Sequence, residues 1–367
     1  MTPSIDGIHP LKHRDTLGPC LFAELTEDNW KTWFNIANTA GFKWIMTDFF
    51  YGDWHTPQKF KSYDGVRSVC RWFCYSGIRI AAHCYLNTID ANAKLIDFQN
   101  PPWDWGDVLE GDDVGTIHET DDDGFRLVGG TGPMNEAVLK HLAYGVLASG
   151  KTMMTVRNQG DGRVNVYRGA EKTSSRVLRV GDPVYVLRNR SGFFAKHGSE
   201  LQAMLVQRFA QTVADCGIDH IYADGYSSSV QGENAAETAR LHWEQGIAPY
   251  AANVPAVFSL GGTVPECAFD RVFSVMRGDA LTLFNAKYNG DFHRYFYDQL
   301  RWNHVNLPLH QASGWWPLSS ETHADHLERI YATRGQVVFQ DITGDSFLDH
   351  PNRDVIVRRM RELNGSL

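Results

Sequence analysis

Short apolar runs of strand length alternate along this chain with amphipathic stretches of helical period, and most of the runs stop at a polar or charged residue. Leu21-Phe-Ala-Glu-Leu25 reads as a strand, and Thr26 follows as an N-cap with Glu27 and Asp28 in a first turn. Trp30, Trp33, Phe34 and Ala37 then recur at i, i+3, i+4 and i+7, the stripe of a helix packed on a sheet. Gly41 closes that helix, and Lys43–Asp48 is the next strand. Val66, Val69, Cys70 and Phe73 repeat the stripe, Gly77 stops it, and Ile78–His83 is a third strand. The pattern resumes with Leu201, Met204, Leu205, Phe209 and Val213 on one helical face, closed by Gly217 and followed by Asp219–Asp224. Further strands are expected at Pro255–Leu260, Arg271–Met276, Val305–Leu309 and Gln336–Gln340, with helical segments near 232–247, 288–302, 320–333 and 352–363.

Strands that alternate with helices pair in parallel, and eight such units close into an α/β (β/α)8 TIM barrel. Residues 1–85 and 198–367 together match the roughly 250 residues typical of that barrel. Residues 86–197 are then an inserted lobe after the third strand. An open doubly wound sheet is the rival, but no G-x-G-x-x-G turn follows any strand. The lobe reads as β-rich, with short strands at Lys151–Arg157, Arg163–Arg168, Arg176–Val180 and Pro183–Leu187. Its charge is divided. Asp104–Asp123 holds nine acidic residues and no Lys or Arg, whereas Lys151–Arg190 holds nine basic residues against three acidic.

The net charge of −8 argues against a general nucleic-acid binder. No apolar run reaches the roughly 18 residues of a membrane span. The first twenty residues lack the apolar stretch of a signal peptide, so the compartment stays open between the cytoplasm and secretion with the signal removed. Cys20, Cys70, Cys74, Cys84, Cys216 and Cys267 are scattered beside apolar residues and read as buried free thiols. Cys70 and Cys74 stand at i, i+4, a spacing that shares one helix face. Nothing in the sequence specifies an oligomeric state.

Barrel enzymes work at the C-terminal ends of their strands. The residues that end the expected strands are Glu24, Asp48, His83, Asp224, Arg277 with Asp279, His310, and Gln340 with Asp341. This set of carboxylates, imidazoles and a guanidinium suits acid–base chemistry. Aromatics cluster just beyond the strands: Phe49, Phe50, Tyr51 and Trp54, then Tyr226, then Trp315 and Trp316. Loop tryptophans and tyrosines suit stacking against the C–H faces of sugar rings. Two carboxylates flanking a glycosidic bond supply a nucleophile or base and a proton donor.

Asp219-His-Ile-Tyr-Ala-Asp-Gly-Tyr226 resembles the fourth-strand motif of glycosidases of the α-galactosidase (melibiase) type and of α-L-fucosidases. Ser274-Val-Met-Arg-Gly-Asp279 resembles the sixth-strand segment of the former. The resemblance implies a retaining exo-type glycoside hydrolase that acts on an oligo- or polysaccharide and needs no cofactor or metal. It implies Asp224 as nucleophile and Asp279 as acid/base. Asp48 falls where that family binds a sugar hydroxyl, although Thr47-Asp-Phe-Phe departs from the family's paired Asp followed by Gly and Trp. Glu24, His83, Tyr226, Arg277, His310, Trp315 and Trp316 complete the expected substrate-binding set.

Two other readings stay open. Arg277, His83 and Tyr226 match the cation and bases of a polysaccharide lyase, or another acid–base enzyme, on anionic glycans, which the basic stretch of the lobe would attract. A barrel with a misplaced carboxylate pair would bind glycans without cleaving them. Metal hydrolysis would require Asp48, His83, Asp224 and His310 to converge on zinc; neither H-x-H on a first strand nor H-E-x-x-H occurs. The G-x-S-x-G elbow is missing as well.

Overall fold

The structure is a computed structural model, and its described residues are 20–84, 87–128, 146–160, 163–189, 192–218, 220–223, 257–261, 274–277, 309–312, 336–341, 348–349 and 353–365, with positions 241 and 245. The described elements begin with β1 (Cys20–Ala23), α1 (Trp30–Ala40), β2 (Trp44–Thr47), α2 (Tyr63–Tyr75) and β3 (Arg79–Cys84). There follow β4 (Thr88–Ile89), α3 (Trp105–Val108), β5 (Gly111–Thr120), β6 (Gly124–Val128), β7 (Val146–Ser149), β8 (Thr152–Gly160), β9 (Arg163–Arg168), β10 (Pro183–Leu187) and β11 (Phe193–Phe194). The chain continues through α4 (Glu200–Cys216), β12 (His220–Ala223), β13 (Val257–Gly261), β14 (Ser274–Arg277), β15 (Leu309–Ala312), β16 (Gln336–Asp341) and α5 (Arg353–Gly365).

The fold is α/β. Eight strands close a barrel in the order β1-β16-β15-β14-β13-β12-β3-β2, and every pairing in it is parallel. β3 and β12 are therefore neighbours although residues 85–219 separate them in the chain. All four residues of β2 are buried, as expected of a parallel strand covered on both faces.

Local chemistry explains the helix boundaries. The Thr26 hydroxyl accepts the N–H groups of Asp28 and Asn29, while Asn29 Oδ1 accepts the Thr26 N–H at 2.8 Å. This is the reciprocal bonding of a capping box, set one turn ahead of the regular helix at Trp30. Trp33, Ile36, Ala37 and Ala40 form the buried face of α1, with Trp30 and Phe34 half-buried at its margin. Gly41 ends the helix at φ 78, a left-handed conformation that costs a glycine little, and its N–H bonds back to the last turn. At α2 the Ser62 hydroxyl accepts the Gly65 N–H, and Val66, Val69, Cys70 and Phe73 are buried as one stripe. Each such side chain contributes roughly 1.5–3 kcal/mol when fully removed from water.

The fifth to eighth strands differ in extent from the sequence expectation. The largest difference is at β15, Leu309–Ala312, which runs on past the expected end at Leu309.

The chain divides into two compact units, Met1–Phe50 with Pro57–Leu86 and Phe209–Leu367, and Tyr51–Thr56 with Asn87–Arg208. Tyr51–Thr56 joins the second unit through Asp53, whose carboxylate accepts the N–H groups of Lys94 and Leu95. In that unit six antiparallel strands close a small barrel in the order β10-β5-β6-β9-β8-β7. Val114, Ile117, Phe125, Leu147, Met154 and Val184 are among its core residues. A second apolar cluster gathers Ile89, Phe98, Trp105, Leu109, Leu201 and Leu205.

Arg176–Val180, expected as a strand, is not one. The Arg176 N–H is taken by the Thr152 hydroxyl and the Arg179 N–H by the Asp182 carboxylate. Side chains thus satisfy backbone donors that a ladder would otherwise use. The divided charge of the lobe is partly cancelled within it, since Arg163 pairs with Asp121, Arg126 with Glu119 and Arg188 with Asp112.

Candidate active site

Because all eight barrel strands run in parallel, their C-terminal ends share one rim. Strand register decides which side chains meet there. β1 and β2 pair Phe22 with Met46, and β2 and β3 pair Thr47 with Ala82. Continued past those pairs, the register sets Glu24 level with Asp48, and Asp48 level with His83. Three expected site residues from three adjacent strands therefore stand in one row.

Side-chain geometry agrees with that row. Asp48 Oδ1 lies 2.6 Å from His83 Nδ1, a charge-assisted hydrogen-bond distance. The His83 side chain is 13% exposed and that of Asp48 41%, so the imidazole is enclosed while the carboxylate meets solvent. The His83 ring packs on Phe22 with centroids 5.0 Å apart. A carboxylate acceptor at Nδ1 places the neutral ring's proton there and its lone pair on Nε2. Such a pair can orient a substrate hydroxyl or move a proton.

Glu24 forms a 2.9 Å ion pair with Lys59, both partners being partly exposed. The turn that carries Glu24 is braced from two sides. Asn29 Nδ2 donates to the Glu24 carbonyl at 3.1 Å, and the buried Thr47 hydroxyl accepts the Leu25 N–H at 3.0 Å. Thr47 thus ties the end of β1 to the end of β2, immediately beside Asp48. Sequence reasoning missed Phe22, Thr47 and Lys59. Phe22 and Thr47 read as ordinary strand residues, and nothing in the sequence marks Lys59 as a partner for Glu24.

The other expected residues fall differently. Arg277 is the last residue of β14, and Asp341 the last of β16, opposite Ala23. His310 does not end its strand. It is the second residue of β15, paired with Met276 and Gln336, and Gln311 and Ala312 follow it in the ladder. The continuation of β15 to Ala312 places it before the strand end. Asp224, Tyr226, Asp279, Trp315 and Trp316 lie outside the described residues.

The aromatics after β2 are not a free stacking surface. Phe49 and Trp54 are 0% and 2% exposed. Phe49 packs on Phe60 and Phe50 on Tyr63, at ring-centroid distances of 6.0 and 5.9 Å. Apolar rings within reach of each other bury together unless a polar edge keeps them open. Among the described residues no group of three His, Cys, Asp or Glu side chains is spaced to hold a metal ion. Among them also, no helix is long and apolar enough to cross a membrane.

No protein-family model and no curated protein matches the chain. Solved structures do match, at the level of fold. An α-galactosidase from Lactobacillus brevis is 11% identical with a TM-score of 0.51, over 97% of this chain and 42% of its own. This chain thus spans about two-fifths of the length of that enzyme. A GH27 β-L-arabinopyranosidase from Geobacillus stearothermophilus, solved with arabinose, is 11% identical with a TM-score of 0.54, over 98% of this chain and 79% of its own. A noncanonic maltogenic α-amylase from Thermotoga neapolitana is 8% identical with a TM-score of 0.55, over 96% of this chain and 77% of its own. The chain is similar in fold to these three proteins.

Proposed function

We propose that this chain is a retaining exo-type glycoside hydrolase on a (β/α)8 barrel. Residues 1–85 and 198–367 form the catalytic domain and residues 86–197 an inserted lobe. One observation carries the reading: Glu24, Asp48 and His83 stand in register at the C-terminal rim of a parallel eight-stranded barrel, with the imidazole bonded to the carboxylate. Support comes from the fold likeness to glycosidases and from the strand-end motifs around Asp224 and Asp279.

In this reading Asp224 attacks the anomeric carbon and Asp279 protonates the departing glycosidic oxygen. Asp279 then takes a proton from the water that attacks the glycosyl-enzyme, releasing Asp224 and a sugar of retained configuration. Such a pair stands about 5–5.5 Å apart. Asp48 and Glu24 accept hydrogen bonds from sugar hydroxyls, and His83, oriented by Asp48, binds a neighbouring hydroxyl. Arg277, Tyr226, His310, Trp315 and Trp316 are assigned to the remaining substrate contacts. The substrate is an oligo- or polysaccharide.

The test is a screen of aryl glycosides, followed by Asp224→Asn and Asp279→Asn on whichever substrate turns over. The expected result is loss of turnover in the first variant. In the second, activated aryl glycosides survive while substrates with poor leaving groups fail. NMR of the first-formed sugar reads the stereochemistry. Inversion would overturn the retaining assignment. Unsaturated sugar products from an active Asp224→Asn enzyme would establish a lyase, and glycan retention without turnover a binding protein.

A further inference from the structure

The segments that run on from Asp48 and from His83 meet again within the second compact unit. Gly52 follows Asp48 by four residues and Thr88 follows His83 by five, and both belong to that unit. There the two backbones are held hard against each other. A Cβ on Gly52 would stand 2.1 Å from the Thr88 carbonyl oxygen, far inside van der Waals contact, so only glycine fits. Thr88 has little freedom to yield, being buried and paired with Phe194 between β4 and β11. Asn87 before it donates to the Ala195 carbonyl at 2.6 Å and accepts from Gln202 Nε2 at 3.2 Å.

Asp53 fixes the first segment in place. Its Oδ1 accepts the His55 and Thr56 N–H groups and closes the local turn. Its Oδ2 accepts the Thr56 hydroxyl at 2.6 Å and the Lys94 and Leu95 N–H groups at 3.0 and 3.2 Å. Tyr51 packs against the apolar cluster that holds Trp105 and Leu109. Back toward Asp48 the chain is not slack. The Tyr51 N–H bonds to the Thr56 carbonyl at 2.9 Å and the Gln58 N–H to the Phe49 carbonyl at 3.0 Å, which makes the connection a hydrogen-bonded hairpin. At its tip Trp54 sits at φ 59 while only 2% exposed. Such strain persists only where the surroundings over-determine it, and it gathers at functional sites.

We propose that Gly52 and Asp53 are positioning residues for the Asp48–His83 pair. Gly52 lets the segment after Asp48 lie on the segment after His83, and Asp53 pins it there, so that the carboxylate and the imidazole keep their 2.6 Å contact. Neither residue touches the pair; both act on it through a short, hydrogen-bonded stretch of backbone. Displacement of reacting groups by as little as 1 Å is enough to cost about 10²-fold in rate, which is the scale on which such a device matters. The consequence for turnover rests on the glycosidase reading, whereas the consequence for the pair itself does not.

The experiment uses the full chain labelled with nitrogen-15 at histidine, and His83→Ala assigns the His83 ring signals by their loss. In Gly52→Ala the downfield Nδ1–H proton of His83 should weaken or vanish as the contact with Asp48 opens. Asp53→Asn should do the same in smaller measure, since it keeps one oxygen for the local turn but sets an amide against the Lys94 and Leu95 donors; it decides if Gly52→Ala misfolds. Thr173→Val removes a hydroxyl that serves Met153 and Ala170 elsewhere in the same unit, and should leave the His83 signal intact. On a substrate that turns over, Gly52→Ala should lower kcat/KM by up to about 10²-fold, and cost little more in a His83→Ala background because both changes act through one pair. An unaltered His83 signal in folded Gly52→Ala and Asp53→Asn proteins would overturn the proposal, as would an equal loss from Thr173→Val or a full additional loss in the His83→Ala background. A vanished signal in a protein that cleaves no glycoside would uphold the positioning role and remove the glycosidase reading instead.

Discussion

The Asp48 carboxylate and the His83 imidazole meet at 2.6 Å across the ends of β2 and β3. Neither strand alone would reveal the pair. It exists because the ladder pairs Thr47 with Ala82, which carries the next residue of each strand to the same height. A one-residue slip would send the two side chains to opposite faces. Shared register is thus what turns two polar strand ends into one chemical unit.

If this pair orients the substrate, His83→Ala should lower kcat/KM roughly 10²-fold. Asp48→Asn should have a smaller effect, because the amide oxygen still accepts from Nδ1. Steady-state kinetics on the best aryl glycoside, with circular dichroism to confirm folding, decide the matter. Unchanged kcat/KM in both variants would remove the pair from the site.

The Glu24–Lys59 ion pair is partly exposed at both ends, 32% and 47%. Such pairs contribute at most about 1 kcal/mol, and salt screens them. Lys59→Met is expected to leave the urea midpoint nearly unchanged. A shift above about 1 kcal/mol would show the pair to be structurally important.

Asp53 is fully buried, and its two oxygens accept from the His55 and Thr56 N–H groups, the Thr56 hydroxyl, and the Lys94 and Leu95 N–H groups. Beside it Trp54 adopts φ 59, uncommon for a bulky residue. Asp53→Ala would leave several buried donors unsatisfied and should cost on the order of 3 kcal/mol. Hydrogen exchange provides the local check: the Lys94 and Leu95 amides should lose protection first.

Burial pushes the Glu110 carboxyl up to about 6, Asp112 adding to the effect and Arg188 opposing it. Its Oε2 has no hydrogen-bond partner among the described residues. A carboxyl raised on folding binds protons more tightly in the native state. Stability attributable to it is therefore greatest below the unfolded value of 4.5 and declines as pH rises through about 6. Glu110→Gln should remove that decline and stabilise the protein at pH 7 by on the order of 1 kcal/mol, after discounting for partial exposure. Thermal melts of both proteins from pH 4.5 to 8 test this. Parallel curves would contradict it.

The sequence by itself determined the rhythm of the chain. The stripe Val66, Val69, Cys70, Phe73, the glycines at 41, 77 and 217, and the apolar run at Trp44–Thr47 each act over a few residues, where periodicity and φ preferences decide the outcome. From that rhythm the α/β class and the candidacy of Glu24, Asp48 and His83 were legible, since strand ends can be counted along the chain. Tertiary structure alone decided how these ends face one another. Register between strands is a property of pairs, so it set Asp48 against His83, moved His310 inside β15, and gave Glu24 the partner Lys59. Burial is likewise a property of the whole packing. Phe49 and Trp54 look in sequence like open sugar platforms, yet rings brought together in water lose exposed apolar surface by packing, and here they are enclosed. The Cys74 thiol and the Gly217 carbonyl lie far apart in sequence and meet at 3.4 Å only because the fold brings α2 beside the end of α4.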